Sequence, residues 1–358
     1  MPCILGCCDV VIATANANIG MGGPAMIEGG GLGVFRPEEV GPMSVQTRNG
    51  VVDIAVADEA EAVRAARQYL SYFQGATPDW TAADQRLLRR AVPENRLRVY
   101  DVRSVLTTLA DTDSVLELRR DFGVGMITAL IRVEGRPVGV VANNPMHLGG
   151  AIDSDGADKA ARFMQLCDAY DIPLLFLCDT PGNMVGPEAE RTALVRHCCR
   201  LYVIGANVTV PFFTVVLRKA YGLGAQAMAG GGFHAPFFAV SWPTGEFGGM
   251  GLEGAVKLGY RNELAAIADP VERKRVYDAM VAAHVRAGQG AQCRRALRDR
   301  RRDRPRGHAP VDHGGPPLGP AARALDGEEA RVDRRLVTRS GNPNPRPRRR
   351  IQVGRRPA

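Results

Sequence analysis

Apolar and polar positions along this chain switch between two periods, and each switch marks an element. Residues 4–13 are almost wholly apolar and predict a strand; residues 51–56 predict a second, shorter one. From Asp58 the period lengthens. Ala60, Val63, Ala66, Tyr69, Leu70 and Phe73 recur at helical spacing behind Asp58 as N-cap, so residues 58–73 predict a helix. Residues 107–122 predict another. Residues 125–133 and 138–143 predict paired strands joined through Glu134, Gly135, Arg136 and Pro137. A helix capped by Asp155 or Asp158 follows, through Ala169. Then come a buried strand at 173–178, a helix at 186–201, a strand at 208–217 and a helix start at 225–229. A strand at 237–242 and helices at 253–258 and 270–286 close the pattern. Strand, glycine turn and helix alternate throughout, which defines the fold class as α/β.

Three stretches break the alternation. Residues 18–41 are glycine-rich, with seven Gly between Gly20 and Gly33, and predict a loop with short strands at most. Residues 74–100 are polar and carry Pro78 and Pro93, the composition of a connector between two units. Beyond residue 286 the texture changes to Arg, Pro, Gly and Ala without apolar periodicity, which predicts disorder.

That last stretch also explains the charge. The chain of 358 residues carries a formal +8. Residues 287–358 hold 19 Arg against 7 acids, a net +12, which leaves the body with 27 bases, 31 acids and −4. The basic balance therefore belongs to the tail and does not identify an anionic partner for the body. The longest apolar stretch, 201–217, contains Asn207 and Pro211 and is too short for a membrane helix. No basic segment precedes the first apolar run, so no signal peptide is expected. Eight Cys without a C-x-x-C, several of them in apolar runs as at Cys167 and Cys178, read as reduced, buried thiols of a cytoplasmic protein without a metal site.

Two glycine turns carry the candidate chemistry. In Tyr221-Gly222-Leu223-Gly224-Ala225-Gln226 a buried strand meets a helix through glycine. Free N–H groups at such a helix start have the geometry of an oxyanion hole, and also that of an ordinary tight turn. Spacing alone does not separate the two. Asp179-Thr180-Pro181-Gly182-Asn183 ends another buried strand, where ligands meet open α/β sheets, and is equally readable as a capped turn. Other candidates are weaker. Asp153, Asp155 and Asp158 suit helix capping better than calcium, and Gly20 to Ala25 only grazes a dinucleotide fingerprint, with Pro24 and no helix after it. His147, His197 and His234 show no partner spacing, and Glu28, Glu38 and Glu39 read as solvated loop acids.

Taken together, several runs in one order are specific. They are residues 18–27, residues 138–145, Asp155 to Phe163, Asp179-Thr180-Pro181-Gly182, residues 208–222, Trp242-Pro243-Thr244-Gly245-Glu246 and Gly254 to Leu258. On these the chain, over residues 1 to about 286, resembles the carboxyltransferase (β) subunit of biotin-dependent acyl-CoA carboxylases of the propionyl-/acetyl-CoA type. The resemblance implies a crotonase-like ββα superhelix with an N-domain and a C-domain. It implies an active site between the N-domain of one subunit and the C-domain of its dimer partner, with dimers assembling into hexamers. The implied reaction moves a carboxyl group from carboxybiotin to the α-carbon of an acyl-CoA. Biotin would arrive on a biotin carboxylase/biotin carboxyl carrier (α) subunit. Each domain supplies one backbone oxyanion hole, so a side-chain catalytic constellation is not expected.

Carried onto this chain, the C-domain hole falls on the N–H groups of Leu223 and Gly224, with Tyr221, Gly222, Pro181 and Gly182 on the biotin side. Leu223 stands where the family usually has Gly, which keeps the donor but crowds the approach. Gln226 takes the place of a residue that influences acyl-chain choice, and Gly22, Gly23 and Pro24 that of a loop lining the acyl site. The expected division is 1–95 as the back half of the N-domain, 96–286 as the C-domain and 287–358 as tail. The family's N-domain hole lies upstream of Ile4, so impaired activity is expected of the chain alone. The tail reads as the family's C-terminus in a shifted frame: one base over, codons for residues 297–305 can encode Phe-Glu-Ile-Asp-Asp-Val-Ile-Asp-Pro. Residues 288–294 and 307–314 yield family-like peptides with the same shift. Alternative readings are a biotin-dependent decarboxylase subunit or inactive fragment, and a nucleic-acid binder using the Arg tail. The lack of interleaved aromatics and of a basic face elsewhere opposes the last.

Overall fold

The computed structural model describes residues 2–289; most of the segment 287–358, with its expected disorder and frame shift, lies outside the described residues. The chain begins with helix α1 (Pro2–Gly6) and only then enters strand β1 (Ile12–Thr14), so the strand expected over 4–13 is corrected. An apolar run this short has no period to distinguish helix from strand. The glycine-rich passage holds a helix that the sequence did not predict, α2 (Pro24–Gly29), with Pro24 at its first position, where a fixed φ is already helical. Helix α3 (Met43–Gln46) follows, and strand β2 (Ile54–Val56) pairs parallel with β1. Helix α4 (Glu59–Ser71) starts where expected: Asp58 accepts the Glu61 N–H at 2.8 Å.

Residues 74–100 link the units by lying against the second. Their 3-10 turn Gln85–Arg90 buries Leu88, which packs with Val92 and Tyr100. Helix α5 (Val102–Leu109) then gives way to strand β3 (Leu116–Leu118), where one helix over 107–122 was expected. Asp113 adopts a left-handed φ of 58°, and the Asp111 carboxylate accepts the Glu134 and Gly135 N–H groups at 3.1 and 2.7 Å. Those bonds draw the chain out of helix and into the sheet. Strands β4 (Met126–Val133) and β5 (Arg136–Asn143) form the expected hairpin. Helix α6 (Ser154–Ala169) is capped by Asp153, ahead of either residue expected, through a 2.8 Å bond from the Gly156 N–H.

After β6 (Leu174–Thr180), the helix expected over 186–201 is two, α7 (Pro187–Glu190) and α8 (Leu194–Asn207), divided at Ala193 with φ 55°. Strand β7 (Phe212–Tyr221) runs directly into α9 (Gly222–Ala227). Strands β8 (Phe238–Ser241) and β9 (Glu246–Gly248) and helices α10 (Leu252–Gly259), α11 (Arg261–Ala265) and α12 (Pro270–Gly288) complete the chain.

Seven strands make one mixed sheet in the order β3-β4-β5-β6-β7-β8, with β9 also on β7. Pairs β3–β4 and β4–β5 are antiparallel; β5–β6, β6–β7, β7–β8 and β7–β9 are parallel. Strands β4 and β6 are buried along their whole length and are mostly apolar, with Thr128 and Arg132 in β4 and Asp179 and Thr180 at the end of β6 as buried polar residues. One apolar core lies between the sheet and helices α6 and α8, the other beneath α5 and the 85–90 turn.

The small β1–β2 unit docks at the β3 edge, far from β7. Arg119 pairs with Asp53 at 2.7 Å, and Arg132 donates to the carbonyls of Ser71 and Gly75 at 2.7 and 3.0 Å. Lys159 supports this edge from below. It is 1% exposed, donates to the Phe122 carbonyl at 2.9 Å, and burial pushes its ammonium down to about 7. Cys167, Cys178 and Cys198 are buried, but Cys3, Cys7, Cys8 and Cys199 are exposed, so burial holds for only part of the set. Among the described residues no helix is long and apolar enough to cross a membrane.

Candidate functional site

The C-terminal ends of β6 and β7 deliver the two glycine turns to one place. Strand β6 ends in Thr180, whose Oγ1 accepts the Gly182 N–H at 3.1 Å and closes the turn through Pro181. Gly182 has φ 125°, and its carbonyl accepts the Ile152 N–H at 3.0 Å. Strand β7 ends in Tyr221, and Gly222 turns the chain with φ 57°, a conformation glycine adopts without penalty. Helix α9 begins at once, and no side chain caps it. The N–H groups of Gly222, Leu223 and Gly224 occupy its first turn, where no intrahelical acceptor is available.

Gly224 joins the turns. A Cβ there would lie 2.6 Å from the Gly182 carbonyl carbon, 2.7 Å from its Cα and 3.0 Å from the Asn183 nitrogen. Only a bare Cα allows that backbone contact. The contact also sets the backbone of Asn183, the last residue of the quoted turn, beside Gly224. Leu223 is 62% exposed and points its side chain outward, while its carbonyl accepts from the Tyr202 hydroxyl. Gln226, one turn further along α9, is exposed.

Pro181, Gly182, Tyr221, Gly222, Leu223 and Gly224 are therefore brought together. Gly22, Gly23 and Pro24 are not with them. They start α2 in the small unit, and no hydrogen bond, ion pair or ring contact joins residues 20–40 to residues 180–226 among the described residues.

Beneath the turns lie buried charges to which the sequence assigned no role. Glu246 is 1% exposed and accepts two bonds from Arg96, both 2.9 Å, and one from the Tyr221 hydroxyl. Burial and the Glu246 carboxylate beside it raise the Tyr221 phenol well above its ordinary range. Arg96 comes from the polar connector and also pairs with Glu253. A second group centres on Asp179, with Tyr100, Arg218 and Lys219. Burial lowers the Lys219 ammonium, against the pull of Asp179. Glu246 and Arg218 stood in the quoted runs, but nothing in spacing ties them to partners in other elements.

Fold and site together define a class of α/β domain that offers backbone N–H donors at a strand-to-helix turn, set on a buried ionic base. Within that class the chain belongs to the carboxyl transferase domain family, whose sequence model matches residues 4–298. The solved structure of a single-chain, multi-domain long-chain acyl-CoA carboxylase superposes with a TM-score of 0.78 at 56% identity, over 83% of this chain and 29% of that one. The transcarboxylase 12S hexamer, with methylmalonyl-coenzyme A and methylmalonic acid bound, gives 0.68 at 29% identity, over 86% of this chain and 64% of that one. The biotin-dependent acetyl-/propionyl-coenzyme A carboxylase beta6 subunit of Mycobacterium bovis is 34% identical over 287 residues, 79% of this chain and 60% of the relative. The fold is the crotonase-like α/β fold of carboxyltransferase domains, and the resemblance drawn from the sequence is borne out. The chain spans about half the length of the curated relatives it matches, from 44% to 60%.

Proposed function

We propose that this chain forms the biotin-facing part of a carboxyltransferase that moves a carboxyl group from carboxybiotin to the α-carbon of an acyl-CoA. The observation that carries the reading is the junction of the two turns, where uncapped N–H donors of α9 stand against the Gly182–Asn183 backbone. Donors at a helix start that lack an intrahelical acceptor and a side-chain cap suit the ureido oxygen of biotin. When the N–CO2 bond of carboxybiotin breaks, CO2 leaves and the electron pair becomes a ureido oxyanion. The Leu223 and Gly224 N–H groups stabilise that charge, an effect worth about 3 kcal/mol per donor in acyl-transfer sites. The oxyanion takes the α-proton of the thioester, and the resulting enolate attacks CO2. The roles of base and nucleophile thus fall to biotin and substrate.

In this reading residues 96–286 are the biotin-side domain and residues 1–95 belong to the acyl-CoA side, with Gly22, Gly23 and Pro24 lining the acyl group. Gln226 sits where acyl-chain length is sensed. Biotin arrives on a carboxylase/carrier partner, and the subunits assemble as oligomers, as in the 12S hexamer. Titration with biocytin, followed by amide NMR of the full chain, tests the reading. Saturable shifts at Gly182, Gly222, Leu223 and Gly224 are expected. Shifts elsewhere only, or none at millimolar biocytin, would refute it. An acyl-CoA series from acetyl to long-chain, assayed with the carrier partner, then assigns the substrate.

A further inference from the structure

Strands β6 and β7 run in parallel register from Leu174 beside Phe212 to Cys178 beside Val216, and resume with Thr180 beside Ala220. Between those points β6 advances two residues while β7 advances four. The ladder is broken at this offset, and backbone groups there need other partners.

The Asp179 side chain occupies the break. Its Oδ1 accepts the Lys219 backbone N–H at 3.1 Å, standing in for the lost ladder bond. Its Oδ2 accepts the Tyr100 hydroxyl at 3.0 Å and faces the Arg218 Nη2 at 3.2 Å. The Lys219 ammonium lies 3.8 Å from Oδ1. The Asp179 N–H donates to the Asn143 Oδ1 at 3.1 Å, which ties β5 into the same knot. Asp179 is 0% exposed and Arg218 is 2% exposed. Charges buried this deeply give little net stability even when paired, but they hold geometry because a lost partner leaves an uncompensated charge.

The position of the knot is informative. On β6 the next residue, Thr180, opens the turn that carries Gly182 and Asn183. On β7 the bonded residue, Lys219, leads through Ala220 and Tyr221 into Gly222. The offset held by Asp179 therefore sets how far β7 extends past β6, and with it whether Gly224 reaches the Gly182–Asn183 backbone. We propose that Asp179 is the positioning residue of the junction: its carboxylate fixes the β6–β7 offset and thereby holds the donor turn of α9 against the Gly182 turn. The geometric part stands alone; its bearing on carboxybiotin rests on the function proposed above.

The test uses the full chain. Asp179→Asn keeps the side-chain volume and an acceptor for the Lys219 N–H, but removes the charge opposite Arg218. Amide NMR should show the largest shifts at Gly182, Asn183, Gly222, Leu223 and Gly224. Hydrogen exchange in α9 should quicken about tenfold and biocytin affinity fall about tenfold, an effect that a tenfold equilibrium shift conveys to both readouts. Tyr100→Phe removes one bond to the same carboxylate and should act in the same direction, less strongly. Arg103→Gln, which breaks the ion pair to Glu117 at the β3 edge, should lower the melting temperature without moving the turn amides. Turn amides that stay in place in Asp179→Asn, or shifts spread evenly over the sheet, would overturn the proposal. If Asp179→Asn does not fold, Tyr100→Phe decides: unmoved turns overturn the proposal, shifted turns support it. If wild type ignores biocytin while Asp179→Asn moves the turns, the functional reading fails and the positioning role stands.

Discussion

Two glycine-rich segments of this chain look alike as sequence and differ as structure. Of the seven glycines between residues 20 and 33, three face open space: a Cβ added at Gly23, Gly29 or Gly31 meets nothing within 4 Å, and one added at Gly20 or Gly33 meets a side chain first, Val40 at 2.8 Å or Phe35 at 3.0 Å. At Gly222 and Gly224 an added Cβ meets the Gly249 carbonyl oxygen at 2.9 Å and the Gly182 backbone at 2.6 Å. The first segment also exposes Met21, Met26, Leu32 and Val34 and contains no buried helix residue. The second is packed against two turns and rests on buried ion pairs. Glycine content alone therefore does not mark a site. What marks it is backbone that must touch backbone.

Substitution of alanine at one glycine of each segment should give the largest contrast. Gly224→Ala forces its methyl into the Gly182–Asn183 backbone, which no side-chain rotation relieves. Overpacking of that kind costs about 2–3 kcal/mol, read by urea unfolding, and should abolish biocytin shifts. Gly29→Ala meets open space at the last position of α2 and should leave stability unchanged or raise it by up to ~1 kcal/mol. Equal losses at the two positions would remove the distinction between the segments.

A second contrast concerns what holds each segment in place. The small unit docks on the turn around Phe122, which Lys159 supports from beneath. Burial lowers the Lys159 ammonium from its ordinary 10.5 to about 7. In the unfolded chain it stays protonated up to its ordinary value, so between the two values the unfolded state binds the extra proton. The Lys159 contribution to stability then rises with pH across that window, and its penalty is complete below about 7. From pH 7 to about pH 8, below the range where cysteines ionise, its gain is about 1 kcal/mol. Above that window the thiols of Cys167, Cys178 and Cys198, which burial raises, oppose it by ionising first in the unfolded chain. Lys159→Met should flatten this rise in urea unfolding. A difference between wild type and Lys159→Met that does not change from about pH 7 to pH 8 would count against a neutral Lys159.

How much of this was legible in the sequence depends on how local the signal is. The β4–β5 hairpin and the Asp58-capped helix carry their signals within a few residues, and both stand as expected. Thr180 and Gly182 close a turn within three residues, which again is a local event. The failures are non-local. Leu116–Leu118 leave the helix expected over 107–122 because Asp111 bonds the hairpin at Gly135. Arg96 reaches Glu246 across 150 residues, and Asp179 reaches Tyr100 across 79. Periodicity has no term for such partners. The charges under the site were therefore invisible, although their residues lay in plain view.

Leu223 gives the smallest effect and the finest test of the contrast. Its side chain is 62% exposed, so Leu223→Ala should change stability by no more than ~0.5 kcal/mol, as surface substitutions do. The N–H donor remains, because the backbone of α9 is set by Gly222 and Gly224. What changes is access. In the packed segment glycine is required by backbone contact, but position 223 faces outward and carries no such contact, so its side chain is free to limit how closely a ureido oxygen approaches. Removing three carbons should tighten biocytin binding by about threefold, with unfolding unaltered. Unchanged affinity would show that the leucine stands clear of the approach path, and weaker binding would show that it contributes apolar contact to the ligand. Either outcome would still separate this outward position from Gly224, where the same single methyl group cannot be accommodated.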